Sequence, residues 1–133
     1  PAVAERAFDI AAIGDRFEAI FTDITGSEPP KTYQNTIRLG LEDPRIHSLI
    51  LGYWHTIVTP PMVFAKLVVE VVDEMKAKGI HKPIVVSLAG DVQVEEAAEH
   101  LFDHGIPAYP YSTEMPVMVL GAKYKWARGA GLI

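Results

Sequence analysis

The chain is expected to fold as an α/β domain built on a mainly parallel sheet. Three observations lead there. From Phe21 onward, short apolar runs alternate with helical patterns, the signature of repeated β-α units. Residues 46–53 and 83–88 are predominantly apolar runs of strand length, as expected of strands buried on both faces. Turns containing proline or glycine stand at 26–30, 43–44, 78–79, 90–91 and 105, where they separate one unit from the next.

The elements follow in order. Residues 21–25 form a weak first strand, residues 26–30 turn the chain, and Pro30 suits the first position of a helix over 32–41. Asp43-Pro44 stops that helix, and residues 46–53 read as a central strand. After Pro61, Phe64, Leu67, Val68, Val71, Val72 and Met75 recur at three- and four-residue intervals, with Lys66, Glu70, Asp73 and Lys76 on the other side. Lys78-Gly79 ends this helix and residues 83–88 give the clearest strand. Gly90-Asp91 leads into a helix over 92–104 that Gly105 closes. Residues 106–110 are expected at a sheet edge, because their prolines cannot donate to a ladder. The last helix spans 113–128, with Ser112 as cap and Pro116 in its first turn. Residues 1–20 fit the pattern least and are expected to form a strap or linker helix, leaving 21–133 as the domain.

Composition narrows the function. The 133 residues are 49% hydrophobic, enough for one domain with a substantial core. A net charge of -5 gives no reason to expect nucleic acid or an anionic membrane as partner. There are no cysteines, which removes disulfides, thiolate metal sites and cysteine nucleophiles and agrees with a cytoplasmic location. No apolar run approaches the ~20 residues of a bilayer span, and no signal peptide is visible.

Chemistry concentrates at the end of the central strand. His55 follows Tyr53-Trp54 there, at the edge where open α/β sheets put their ligands. It is the best titratable candidate, as general base, phosphate contact or packing residue, and no nucleophile or orienting acid lies near it in sequence. The helix after Pro61 offers its amino terminus to an anion such as a phosphoryl group. If Thr59 caps it, Pro60 and Pro61 remove two donors and leave the Met62 and Val63 N–H groups. Thr59, Met62 and Val63 are therefore the candidate phosphate-facing residues. Tyr53, Trp54, Thr56 and Gly90 are the candidate interface residues. The aromatics Tyr53, Trp54, Tyr109, Tyr111 and Trp126 could serve core or interface alike. His100 and His104 stand at four-residue spacing near a helix end, where cations are favoured, and no metal site is expected. Phosphate loops, dinucleotide fingerprints and nucleophile elbows do not occur.

A set of ordered motifs carries a family resemblance. They are Thr22-Asp-Ile-Thr-Gly-Ser27, Tyr33, Leu41-Glu-Asp-Pro44, Thr59-Pro-Pro61, Lys82-Pro-Ile-Val-Val-Ser87 with Gly90, His104-Gly-Ile-Pro107 and Tyr124-Lys-Trp-Ala-Arg128. Over about residues 20–128 the chain resembles the nucleoside-diphosphate-forming acyl-CoA synthetases. It is similar to their CoA-ligase domain, the counterpart of the carboxyl-terminal domain of the succinyl-CoA synthetase beta subunit. The chain departs from the family pattern at Gly52-Tyr-Trp-His55 and in the shortened segment around Thr22.

The resemblance implies a three-layer flavodoxin-like fold, a sheet of about four or five strands with helices on both faces. It also implies a domain or small subunit of an acid-thiol ligase, inactive alone, that supplies a helix amino terminus to a phosphohistidine site. No histidine of this chain has the setting of the phosphorylated one, which is expected on a partner domain. The expected partners are CoA-binding and ATP-grasp domains, in a hetero-oligomer or a longer chain, and the complex is expected to use ATP or GTP with Mg and CoA. The competing reading is a non-catalytic assembly or acyl-CoA-sensing module. A flavin or nucleotide binder of flavodoxin type is disfavoured for want of a phosphate loop after the first strand.

Overall fold

The computed structural model describes residues 22–24 and 27–132. The strap expected over 1–20 lies outside the described residues. These residues give α1 (Pro30–Glu42), β1 (Leu49–Trp54), α2 (Pro61–Ala77), β2 (Ile84–Ala89), α3 (Gln93–Asp103), β3 (Ala108–Pro110) and α4 (Glu114–Gly129). The sheet is parallel, in the order β1-β2-β3. It has three strands among the described residues where four or five were expected. Residues 22–24 carry no strand, and Thr22 and Asp23 are exposed; two exposed polar side chains in succession cannot present the buried alternate face that a strand needs. Phe21 and Thr25, the ends of that expected strand, lie outside the described residues.

Strand parity distributes the core. Leu49, Leu51 and Tyr53 of β1 pair with Ile84, Val86 and Leu88 of β2, and all six face the cluster formed with α1, α2 and α3. On the opposite face Val85 and Ser87 are buried on the side where α4 packs against β2. Every residue of β2 from Ile84 to Leu88 is consequently buried, which is why its sequence is apolar except at Ser87. β3 is the short edge strand that its prolines demand.

The helices begin and end where local chemistry dictates. Pro30 occupies the first position of α1, where its missing N–H costs nothing. The exit of α1 is a charged turn. Asp43 accepts hydrogen bonds from the Arg45 backbone N–H and guanidinium at 2.7–3.1 Å, and Ile46 N–H bonds the Asp43 carbonyl at 3.1 Å. That turn delays β1 to Leu49, three residues beyond the start of the apolar run. α2 is anchored by nine buried residues and tied to α1 by Arg38–Glu74 at 2.9 Å. Gly79, at φ 81°, then supplies the left-handed residue that turns the chain out of α2. Ser112 accepts from Met115 N–H at 3.1 Å, so it caps α4 as expected.

Two outcomes test this packing. Leu101 of α3 is fully buried against the sheet, and Leu101→Ala is expected to cost about 3 kcal/mol in chemical denaturation; a loss below about 1 kcal/mol would show a loosely packed helix. Hydrogen bonds from Arg45 hold the Asp43 carboxyl down at about 2. A carboxyl lowered in the fold stabilises above its unfolded value of ~3.9 and loses that contribution as pH falls through the folded value. Melting temperature should therefore fall between about pH 4 and 2 in the parent, and less steeply in Asp43→Asn.

Candidate functional site

A parallel sheet sends the ends of all its strands to one edge. The loops after β1, β2 and β3 lead there into α2, α3 and α4, and three candidate groups gather on it: the loop over residues 55–60, the start of α2, and the turn at Gly90-Asp91.

The first loop folds around Tyr53. Its ring stacks on Phe64 with centroids 4.3 Å apart, and its hydroxyl donates to the Thr59 carbonyl at 2.6 Å. Burial pushes this phenol up to about 12. Thr59 N–H donates to Thr56 Oγ1 at 3.0 Å, and Thr56 N–H approaches the Tyr53 hydroxyl at 3.4 Å. The loop therefore satisfies its polar groups inward. Its aliphatic side chains turn outward: Ile57 is 96% exposed and Val58 is exposed beside it. With Trp54, 76% exposed, and the exposed Val63, they form an apolar rim of the kind that marks an interaction surface.

Two sequence expectations need correction. Tyr53, expected at an interface, is only 4% exposed, because its parity on β1 points it at α2. Thr59, expected to face a phosphate, is fully buried and donates its hydroxyl to the Glu28 carbonyl at 3.0 Å. Pro60, extended at φ -60° and ψ 158°, takes the cap position of α2 instead. Of the other interface candidates, Trp54 and Gly90 are exposed and Thr56 is partly buried. Tyr111 and Trp126 are also exposed.

Met62 and Val63 lie in the first turn of α2. The first intrahelical bond of α2 runs from Phe64 N–H to the Pro60 carbonyl at 3.0 Å, so both N–H groups precede it and project from the helix end. The first turn of α2 has no acidic residue. α3 instead carries Glu95 and Glu96 there, with Asp91 accepting from Gln93 N–H at 3.0 Å, and α4 carries Glu114. Only α2, of the three helices on this edge, leaves its positive end uncompensated by its own side chains.

His55 gains a neighbour that sequence reasoning missed. Its Nδ1 lies 3.2 Å from Asp91 Oδ1. Trp54 pairs with Ala89 and His55 N–H continues the ladder to the Ala89 carbonyl at 2.9 Å, which brings the two turns together. Strand register was the signal that could have found it. Gly90 sits between them at φ 154°, where an added Cβ would lie 2.6 Å from His55 Cβ, so a side chain is excluded. Tyr111 closes the far side. It holds a left-handed φ of 63° and donates its hydroxyl to the Asp91 carbonyl at 2.9 Å. His100 and His104 lie away from this edge on α3, where His104 Nδ1 is 2.8 Å from the His100 carbonyl. Among the described residues no group of three His, Asp or Glu side chains could hold a metal ion, and no helix is long and apolar enough to cross a membrane.

A parallel sheet between helical layers, with its polar side chains and helix starts on the carboxyl edge, defines a flavodoxin-like α/β domain. The chain belongs to the Ligase-CoA domain family, whose profile matches residues 6–133. It is 37% identical over 106 residues to the acetate–CoA ligase (ADP-forming) I subunit alpha of Pyrococcus furiosus, covering 80% of this chain and 22% of that one. Among solved structures it resembles the dinucleotide forming acetyl-coenzyme A synthetase 1 of Ca. Korarchaeum cryptofilum, at 28% identity and TM-score 0.64 over 100% of this chain and 29% of that one. A Pyrococcus horikoshii OT3 protein shares the fold at 22% identity and TM-score 0.74, over 96% of this chain and 29% of that one. The chain thus spans between a fifth and a third of the length of these relatives.

The Tyr53 hydroxyl organises this edge, so Tyr53→Phe is expected to cost about 1–3 kcal/mol by leaving the buried Thr59 carbonyl short of its best donor. Chemical denaturation measures it; an unchanged midpoint would show that the Thr56 hydroxyl suffices.

Proposed function

We propose that this chain is the CoA-ligase-type domain of an NDP-forming acyl-CoA synthetase and acts only within an assembly. In this reading it corresponds to the carboxyl-terminal domain of the succinyl-CoA synthetase beta subunit. The amino terminus of α2 faces a phosphoryl group carried on a histidine of a partner domain. CoA and ATP or GTP with Mg are handled by partner CoA-binding and ATP-grasp domains, and the apolar rim of Trp54, Ile57, Val58 and Val63 is the docking surface. The observation that carries this reading is the helix start itself: the Met62 and Val63 N–H groups precede the first intrahelical bond, with no acid of α2 beside them.

An anion at that position gains from both the N–H groups and the dipole. It needs no side-chain catalyst from this domain. The relatives support the wider assignment, being an ADP-forming acetate–CoA ligase subunit and an acetyl-coenzyme A synthetase.

Val63 supplies the test, since it is exposed in the first turn of α2. A carboxylate there should favour the helix by up to about 1 kcal/mol while repelling a phosphoryl group. In the full ligase assembly, Val63→Glu is expected to keep or raise the melting temperature and to slow labelling of the partner histidine from acyl phosphate by about tenfold or more. The neutral Val63→Gln should stay near the parent. Equal labelling in Val63→Glu and Val63→Gln would sink the phosphoryl-facing role and favour the assembly-module reading.

A further inference from the structure

Three features outside the helix start compete for a role. A cavity of about 130 Å³ lies at the opposite sheet edge, with Lys76, Lys82 and Lys123 among its lining; Lys82 already donates to the Asp43 carbonyl at 2.8 Å, and nothing there selects a ligand. The exposed Met115, Met118 and Trp126 of α4 form an apolar surface with nothing to say what covers it. The third feature, His55 with Asp91, is a built arrangement.

We propose that His55 is a phosphoryl-contacting residue and that Asp91 positions it. The proposal rests on the helix-terminus reading above and adds a side chain to it. His55 is fixed at three points. Its N–H bonds the Ala89 carbonyl at 2.9 Å, its Cβ fills the space that Gly90 vacates, and its Nδ1 meets the Asp91 carboxylate at 3.2 Å. Asp91 is itself held, by Gln93 N–H on Oδ1 and by the Tyr111 hydroxyl on its carbonyl. Tyr111 reaches that carbonyl from a left-handed backbone conformation that a non-glycine residue rarely adopts, and strain of this kind persists only where the surroundings over-determine it.

The chemistry follows from which nitrogen is engaged. A carboxylate at Nδ1 favours the proton there and leaves Nε2 as the working atom. Nε2 makes no hydrogen bond among the described residues, and the side chain is 23% exposed. The loop that begins at His55 ends at the α2 cap, so the imidazole and the Met62 and Val63 N–H groups share one edge. One proton lies between Nε2 and a phosphoryl oxygen. Nε2 accepts it from a monoprotonated phosphoryl group or, as imidazolium, donates it to the dianion, and the charge balances in either case. The helix end then supplies the field and His55 the directional contact.

The test uses the full assembly and the same histidine-labelling reaction from acyl phosphate. His55→Gln is expected to slow labelling by ~100-fold, in the range of a lost proton-handling group. Asp91→Ser keeps a capping hydroxyl for α3 but is too short to reach the ring; it is expected to lower kcat by ~10-fold with KM unchanged, and Asp91→Asn, which retains an acceptor, to recover most of that loss. In the full chain labelled with ¹⁵N-histidine, the His55 ring should be in the Nδ1–H tautomer in the parent and in Asp91→Asn, and become mixed in Asp91→Ser. Labelling by His55→Gln within twofold of the parent, or a tautomer indifferent to Asp91→Ser, would overturn the proposal. If Val63→Glu slows the reaction and His55→Gln does not, the helix reading stands without His55. If neither does, both fall.

Discussion

The parallel pairing of β1 with β2 is the constraint from which the rest of the molecule follows. Its register, Leu49 opposite Ile84 through Trp54 opposite Ala89, sets the parity of both strands. It therefore decides that Tyr53 enters the core while Trp54 faces outward. It also decides that the turns after the two strands meet, which gives His55 an acid that the linear sequence does not show. A one-residue slip would exchange Tyr53 for Trp54 and separate His55 from Asp91. The same alignment that closes the core thus composes the candidate site, and Gly90 is the residue that lets the two turns approach so closely.

The loop over residues 55–60 shows how a short segment serves folding and recognition together. A six-residue connection must satisfy its buried polar groups or lose stability. Here Tyr53, Thr56 and Glu28 take up the hydrogen bonds of Thr59, so the loop satisfies these groups without help from its outer side chains. Ile57 is left almost fully exposed and Val58 about half exposed. Exposed apolar side chains gathered on one edge mark an interaction surface, which fits a chain that spans a minor part of its relatives' length.

Much of the fold was legible in the sequence because it rests on periodicity. α2 and β2 are long, apolar and regular, and they lie within a residue or two of expectation. What was not legible depends on contacts between distant segments. Thr59 before two prolines has the look of a helix cap, yet its side chain turns to Glu28, a contact that no local pattern encodes. β1 starts late because the Asp43 turn captures Ile46 N–H. Asp91 was legible as part of the lead into α3 but not as the neighbour of His55, since that role requires the strand register. Tyr53 could have been assigned to the core by counting alternate residues from Leu49.

Electrostatics separates the helix starts on the carboxyl edge, and the separation has a physical origin in what each helix must do for itself. α3 is short, with four buried residues, and its acidic first turn and the Asp91 carboxylate, which accepts from Gln93 N–H, contribute stability that its limited packing does not. α2 buries nine residues, at ~1.5–3 kcal/mol for each fully buried large side chain, so it tolerates a start with two prolines, no side-chain cap and no compensating acid. A helix held by its core can leave its positive end open. A helix held partly by its own termini cannot, because the carboxylates that stabilise it also occupy the position an anion would take. The strength of the α2 core is therefore what lets its amino terminus stay open in this domain.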